Sequence, residues 1–118
     1  MAVARGEAGA RAEALAATFL MARGLTIVER NFRCRRGEID LIARDGKTLV
    51  FVEVRLRTRR DFGGAAASIT AAKRARIAAA ALFYLGRLRH TPPCRFDAVL
   101  LDAIDAERIE WLQDMMSA

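Results

Sequence analysis

Two rhythms of apolar residues organise the chain, one helical and one strand-like. From Ala8 to Arg23 alanine dominates, and Leu15, Phe19 and Ala22 fall four and three positions apart. That spacing predicts a helix with one apolar face, stopped by Gly24. Leu25–Phe32 (LTIVERNF) is rich in β-branched residues with partial alternation and predicts a strand. Arg33–Arg36 then reads as a basic loop closed by Gly37. Glu38–Arg44 and Thr48–Arg55 are apolar runs separated by Asp45, Gly46 and Lys47, and Asp-Gly between two such runs signals a hairpin. Both runs carry apolar residues at consecutive positions, which predicts central strands covered on both faces.

Leu56–Gly64 is charged and then glycine-containing, and predicts a surface loop. Ser68 or Thr70 is placed to cap a long helix with Ile77, Ala81 and Leu85 on one face, running to about Arg89 and ended by Thr91, Pro92 and Pro93. Arg95–Asp102 and Arg108–Asp114 predict two further short strands. The order helix, three strands, helix, two strands predicts an α/β three-layer sandwich with a mixed central sheet of about five strands between helices. With 118 residues, 53% of them hydrophobic, and no repeat or low-complexity linker, one domain spanning 1–118 is expected.

Charge adds a regional asymmetry. The net charge is +6, yet residues 1–96 hold 19 of the 20 Lys and Arg, while residues 97–118 hold Arg108 against six acids. A regional positive field is the footprint expected of a protein that meets a polyanion, and a solvated basic surface is the plainer alternative. Cys34 and Cys94 are sixty positions apart and form no CxxC pair, so free thiols and a cytoplasmic location are expected rather than a zinc site or a disulfide framework. No apolar run is long enough for a membrane span, and the N-terminal stretch has no signal-peptide core.

Glu38, Asp40 and Glu53 interrupt the two central apolar runs, and ionised carboxylates are costly to bury unless paired or bound to a cation. Any hairpin register whose paired numbers sum to an odd value, such as 91 with Asp45 and Gly46 at the turn centre, sets Asp40 against 51 or 53. Asp40, Glu53 and Arg55 then share one side of the sheet, and the two acids are neighbours able to share a hard cation such as Mg2+ or Mn2+. The plainer alternative pairs Asp40 with Arg55 or a loop arginine and leaves Glu53 at a strand end in water.

The segments GEIDLIA (37–43), FVEVRLR (51–57) and RFDAV (95–99), behind a helix carrying Gly9-x-x-x-Glu13 and ahead of a helix carrying Lys73, resemble the YraN family of endonuclease-like proteins. The resemblance spans Gly9 to Val99. It implies a restriction-endonuclease-like fold and kinship with Holliday-junction resolvases and the PD-(D/E)xK nucleases. By that resemblance Asp40 and Glu53 are the metal-binding acids, Arg55 stands at the motif lysine, and Glu13 matches the helix glutamate that completes the site. The activity it implies is Mg2+-dependent phosphodiester cleavage on structured or branched DNA, and resolvase-like relatives work as dimers, so a homodimer is an open expectation. Arg55 cannot serve as a base as a lysine can, because guanidinium stays charged. Lys73 is the candidate replacement, with an exposed phosphate-contacting lysine as its alternative. Arg33, Arg35, Arg36, Arg57, Arg59 and Arg60 flank the site on the loops leading into and out of the hairpin and are expected to contact phosphates without reading bases.

Three function classes follow: a metal-dependent endonuclease; a non-catalytic nucleic-acid-binding module that lost turnover with the motif lysine; and an interaction protein docking through its acidic end, Asp97 to Asp114. Gly63 and Gly64 admit either a close backbone approach or a simple turn. Asp97 is expected to cap or to pair with Arg95. Phe83, Tyr84 and Trp111 read as core or partner contacts, and His90 as a helix-end residue.

Overall fold

The computed structural model of the chain describes residues 6–57, 69–102 and 107–115. Arg59, Arg60, Gly63, Gly64 and Ser68, singled out above, lie outside the described residues. The elements run α1 (Gly6–Ala22), β1 (Thr26–Cys34), β2 (Gly37–Asp45), β3 (Thr48–Arg57), α2 (Ala71–Leu85), β4 (Cys94–Asp102) and β5 (Ile109–Leu112). The strands form one sheet of five in sequential order, antiparallel except where β4 lies parallel to β3. The crossover between those two strands carries α2, as parallel neighbours require. This is the expected three-layer α/β architecture. No described helix is long and apolar enough to cross a membrane.

The helices cover opposite faces. Leu41, Ala43, Val50, Val52, Val99 and Leu101 pack with α1, whereas Ile42, Leu49 and Phe51 pack with Ile77, Ala80, Ala81 and Tyr84 of α2. Consecutive apolar residues in β3 therefore feed two cores, which is why that strand shows no polar face in sequence. The α1 face differs from the expected one. Ala12, Ala16, Ala17 and Leu20 are buried, Leu15 and Phe19 flank the contact, and Ala22 is exposed. Small residues let the helix axis approach the sheet, and the larger side chains wrap around its border. The helix ends as expected: Gly24 adopts φ +94°, with Gly24 N–H donating to Met21 O and Leu25 N–H to Leu20 O, the paired bonds of a Schellman cap.

Several boundaries shift for local reasons; β1 runs to Cys34 and β3 to Arg57, so Arg33 and Arg57 stand on strands and not on the expected loops. The β2–β3 hairpin pairs Asp45 with Thr48, so its central residues are Gly46 and Lys47, not Asp45 and Gly46. Gly46 takes φ +61° at the first central position, where a type II′ turn requires a positive φ. Gly37 does not close a loop; it is the first residue of β2, paired with Cys34 across a two-residue Arg35–Arg36 turn. Helix α2 starts at the Thr70 cap, whose Oγ1 accepts from Lys73 N–H at 3.2 Å, but it ends at Leu85, short of Arg89. Gly86 follows, and Arg87 and Leu88 donate to carbonyls three residues back, tightening the chain out of the helix.

One irregularity bears on the site. β1 skips a residue between Ile27 and Glu29, and Asn31 adopts φ 55°. On either side of Asn31 the ladder changes faces: Arg30 opposes Leu41 of the α1 core, while Phe32 opposes Ile39, which packs in the α2 core. The residue of β2 at that change is Asp40.

Candidate active site

Strands β2 and β3 part company at Asp40. Their ladder runs from Asp45–Thr48 to Leu41–Val52, and the same register continued one step sets Asp40 across from Glu53. Beyond that point β2 stays with β1 as far as Gly37, and β3 stays with β4 as far as Arg57. The backbone N–H of Val54 would go unpaired at such a fork; Asp40 Oδ2 accepts it instead at 2.8 Å. A side chain thus replaces a ladder bond, and the Asp40 carboxylate is anchored where the strands separate.

The fork opens a cleft of about 100 Å³ lined by Glu38, Asp40, Glu53, Lys73, Arg76 and Ile77. Asp40 is buried, and the Glu53 side chain is 14% exposed. Lys73 Nζ lies 3.4 Å from Glu53 Oε2. Burial pushes the Glu53 carboxyl up to about 7, the neighbouring Asp40 charge adds to the rise, and the Lys73 ammonium opposes it without cancelling it. A hydrogen bond also links the two carboxyl groups. Glu53 thus sits beside a second carboxyl group, with a lysine at hand.

Helix α2 reaches this cleft because Gly37 has no side chain. A Cβ there would stand 2.4 Å from the Arg76 carbonyl oxygen. The contact seats the helix on the first residue of β2, one turn from Lys73.

The remaining predicted residues divide. Arg55 follows Glu53 by two positions on β3, half-buried, and its Nε is buried with no hydrogen-bond partner among the described residues. Glu13 is half-buried on α1, the helix that covers the other face, and is not among the residues lining this cleft. Arg33 is exposed and paired with Glu38 at 3.3 Å, and Arg35 and Arg36 form the turn at the end of the sheet where β3 leaves. Arg57, at that same end, pairs with Glu110 of β5 at 3.1 Å. Arg76 was not singled out in sequence, although its spacing of three from Lys73 puts both on neighbouring positions of a helix surface. Glu38, the third acid of the central runs, is exposed at the rim of the cleft and paired with Arg33. Among the described residues no group of three or more His, Cys, Asp and Glu side chains is placed to hold a metal ion.

Asp97 belongs to a separate network. Its side chain is fully buried, accepts from Arg95 Nε at 3.1 Å, from Trp111 Nε1 at 2.9 Å and from Asp114 N–H at 2.9 Å, and Arg95 also pairs with Asp45 at 3.1 Å. The network ties β4, β5 and the β2–β3 turn together. Elsewhere in the acidic C-terminal end Glu110 pairs with Arg57, and Asp102, Glu107 and Asp114 have partners of their own.

Comparison with known proteins agrees with the motifs. The model of the uncharacterised protein family UPF0102 matches residues 12–101. A UPF0102 protein of Methylobacillus flagellatus is 54% identical over 110 residues, covering 93% of this chain and 96% of its own. One from Dechloromonas aromatica is 59% identical over 110 residues, covering 93% and 88%, and one from Nitrosospira multiformis is 55% identical over 106 residues, covering 90% and 89%. The matched span includes Glu13, Asp40, Glu53, Arg55 and Lys73. The chain belongs to the UPF0102 family, the one to which GEIDLIA and FVEV point.

Proposed function

We propose that this protein is a metal-dependent endonuclease-like phosphodiesterase acting on structured or branched DNA. The observation that carries the reading is the meeting of Asp40, Glu53 and Lys73 in one cleft at the β2–β3 fork. The donor set fits a hard dication: two adjacent carboxyl groups, one anchored by a backbone amide and the other held partly protonated by burial and by its neighbour's charge. Asp40 and Glu53 would hold Mg2+ or Mn2+. Such an ion, when bound, supplies Lewis-acid stabilisation of phosphoryl oxygens and acidifies a bound water.

The chain's own groups supply the rest. Below about pH 7 the Glu53 carboxyl keeps a proton, which a bound cation would displace. Lys73 Nζ, with three donors beside Glu53, is set to stabilise charge developing on a phosphoryl oxygen, the task the motif lysine would have had at Arg55. Arg55, charged and without a partner at Nε, adds a fixed cation on the same strand. The arginines of the β1–β2 turn provide phosphate contacts at the open end of the sheet. This division favours the enzyme over the non-catalytic module, since loss of a lysine from β3 is matched by a lysine at the acids.

The test is nicking of junction, flap and duplex DNA in Mg2+ and Mn2+ by the wild type, D40A, E53Q and K73M. The reading expects cleavage of at least one branched substrate and a loss of about a hundredfold or more in each variant. Absence of cleavage by the wild type on all three substrates overturns the enzymatic reading; binding that persists in D40A would then leave the binding module.

A further inference from the structure

The flank of α2 that leaves the cleft carries cations and an exposed aromatic ring in a row. Arg76 lines the cleft, and Phe83 lies seven residues later, two helical turns on and so on the same flank, about 10 Å along the axis. Arg87 follows four residues beyond, in the tight turn that closes the helix. Phe83 is 57% exposed, although an apolar ring of that size is normally covered. Its ring centroid lies 6.3 Å from that of Phe32, which is itself buried and packed edge-on against Tyr84 at 5.2 Å. The Arg87 guanidinium sits 5.5 Å from the Phe32 ring centre and 5.4 Å from that of Tyr84. Those contacts hold it in place by cation–π attraction and leave its charge uncompensated. Neither Arg76 nor Arg87 has an ion-pair partner among the described residues.

We infer that this flank is a track for an unpaired nucleic-acid strand leaving the cleft, with phosphates on Arg76 and Arg87 and a base stacked on Phe83. The choice of partner rests on charge and chemistry together: two uncompensated guanidinium groups flank an exposed ring, and single-stranded nucleic acid offers both phosphates and unstacked bases. A duplex presents its phosphates but keeps its bases stacked, so the ring gives it little. The inference rests on the proposed reading and narrows its substrate to DNA with a single-stranded arm next to the scissile bond.

Fluorescence anisotropy in EDTA tests it with the full chain, using a labelled oligothymidylate and a duplex of equal length over a salt series. The variants are F83A, R87Q, F83A/R87Q and D40A; the ring and guanidinium are surface groups, and far-UV circular dichroism checks that each variant folds. The inference expects F83A to weaken single-strand binding roughly tenfold and duplex binding less than about twofold. It expects R87Q to weaken both and to lower the single-strand salt slope by about 0.7. Wild-type binding unchanged in F83A, R87Q and the double variant overturns this inference alone. No wild-type binding to either DNA overturns it together with the nucleic-acid part of the proposed function. A concentration-dependent dimer in sedimentation that F83A dissolves, with DNA binding unaffected, assigns the surface to a second copy and also overturns it. Wild-type-like binding by D40A keeps the track even if no cleavage is ever seen.

Discussion

Among the described residues the Glu53 carboxyl is an acid whose titration is raised into the neutral range. Its folded value of about 7 stands above the ordinary 4.5, so the folded protein holds this proton more tightly than the unfolded chain does. The stability that this provides is fully present below about pH 4.5 and is lost as pH rises through about 7. At about 1.4 kcal/mol per pH unit the loss is at most roughly 3–4 kcal/mol. In EDTA the thermal midpoint of the wild type is expected to fall across this window relative to that of E53Q, and parallel curves for the two proteins would exclude Glu53 as the titrating group. Added Mg2+ is expected to raise the wild-type midpoint more at pH 8 than at pH 5, because the cation binds the ionised pair, and to leave D40A unmoved. Asp97 carries the opposite kind of risk. D97A would leave Arg95 half-buried without its principal carboxylate and three donors unsatisfied, at a cost of about 3 kcal/mol or more, measured by urea unfolding.

At the scale of elements, the decisive event is the separation of β2 from β3. Parity alone placed Asp40 and Glu53 on one side of the hairpin, because every odd-sum register does so, and the observed pairs keep that parity. Parity could not say that the ladder would stop at Leu41–Val52, nor that the Asp40 carboxylate would take over the Val54 amide. That outcome depends on β2 following β1 through the irregularity at Asn31 while β3 follows β4, a competition between two partners for each strand. Gly37 belongs to this scale too. It read as a loop glycine, and its need for a bare Cα emerges only when α2 lies on it. G37A is expected to push α2 away from the strand and to destabilise the fold by about 1–3 kcal/mol, with faster amide exchange in Lys73–Ile77. Unchanged stability and exchange would show that the helix is not seated there.

At the scale of the whole molecule, charge is arranged by position along the sheet. Within the acidic C-terminal stretch Glu110 pairs with Arg57 and Asp97 with Arg95, while Arg35, Arg36, Arg76 and Arg87 are exposed. DNA binding is therefore expected to weaken at least about tenfold between 50 and 200 mM salt, as a few neutralised phosphates require. A flat salt response would remove the electrostatic interface, whatever the metal site does.

The order of elements was legible because hydrophobic periodicity and turn chemistry act over a few residues: alanine content and Gly24 for α1, a cap at Ser68 or Thr70 for the start of α2, and Asp45-Gly46 for the hairpin, although the buried face of α1 and the exact turn centre differ. The two acids on one hairpin face were legible for the same reason, since strand parity is local. Whether Lys73, a candidate only by resemblance and with an exposed phosphate contact as its alternative, accompanies them was not. Arg55 is the nearer residue in sequence and Lys73 is twenty positions from Glu53, yet Lys73 makes the contact because α2 crosses back over the sheet and rests on Gly37. Contacts of that kind depend on how two elements pack, and neither element carries that information alone.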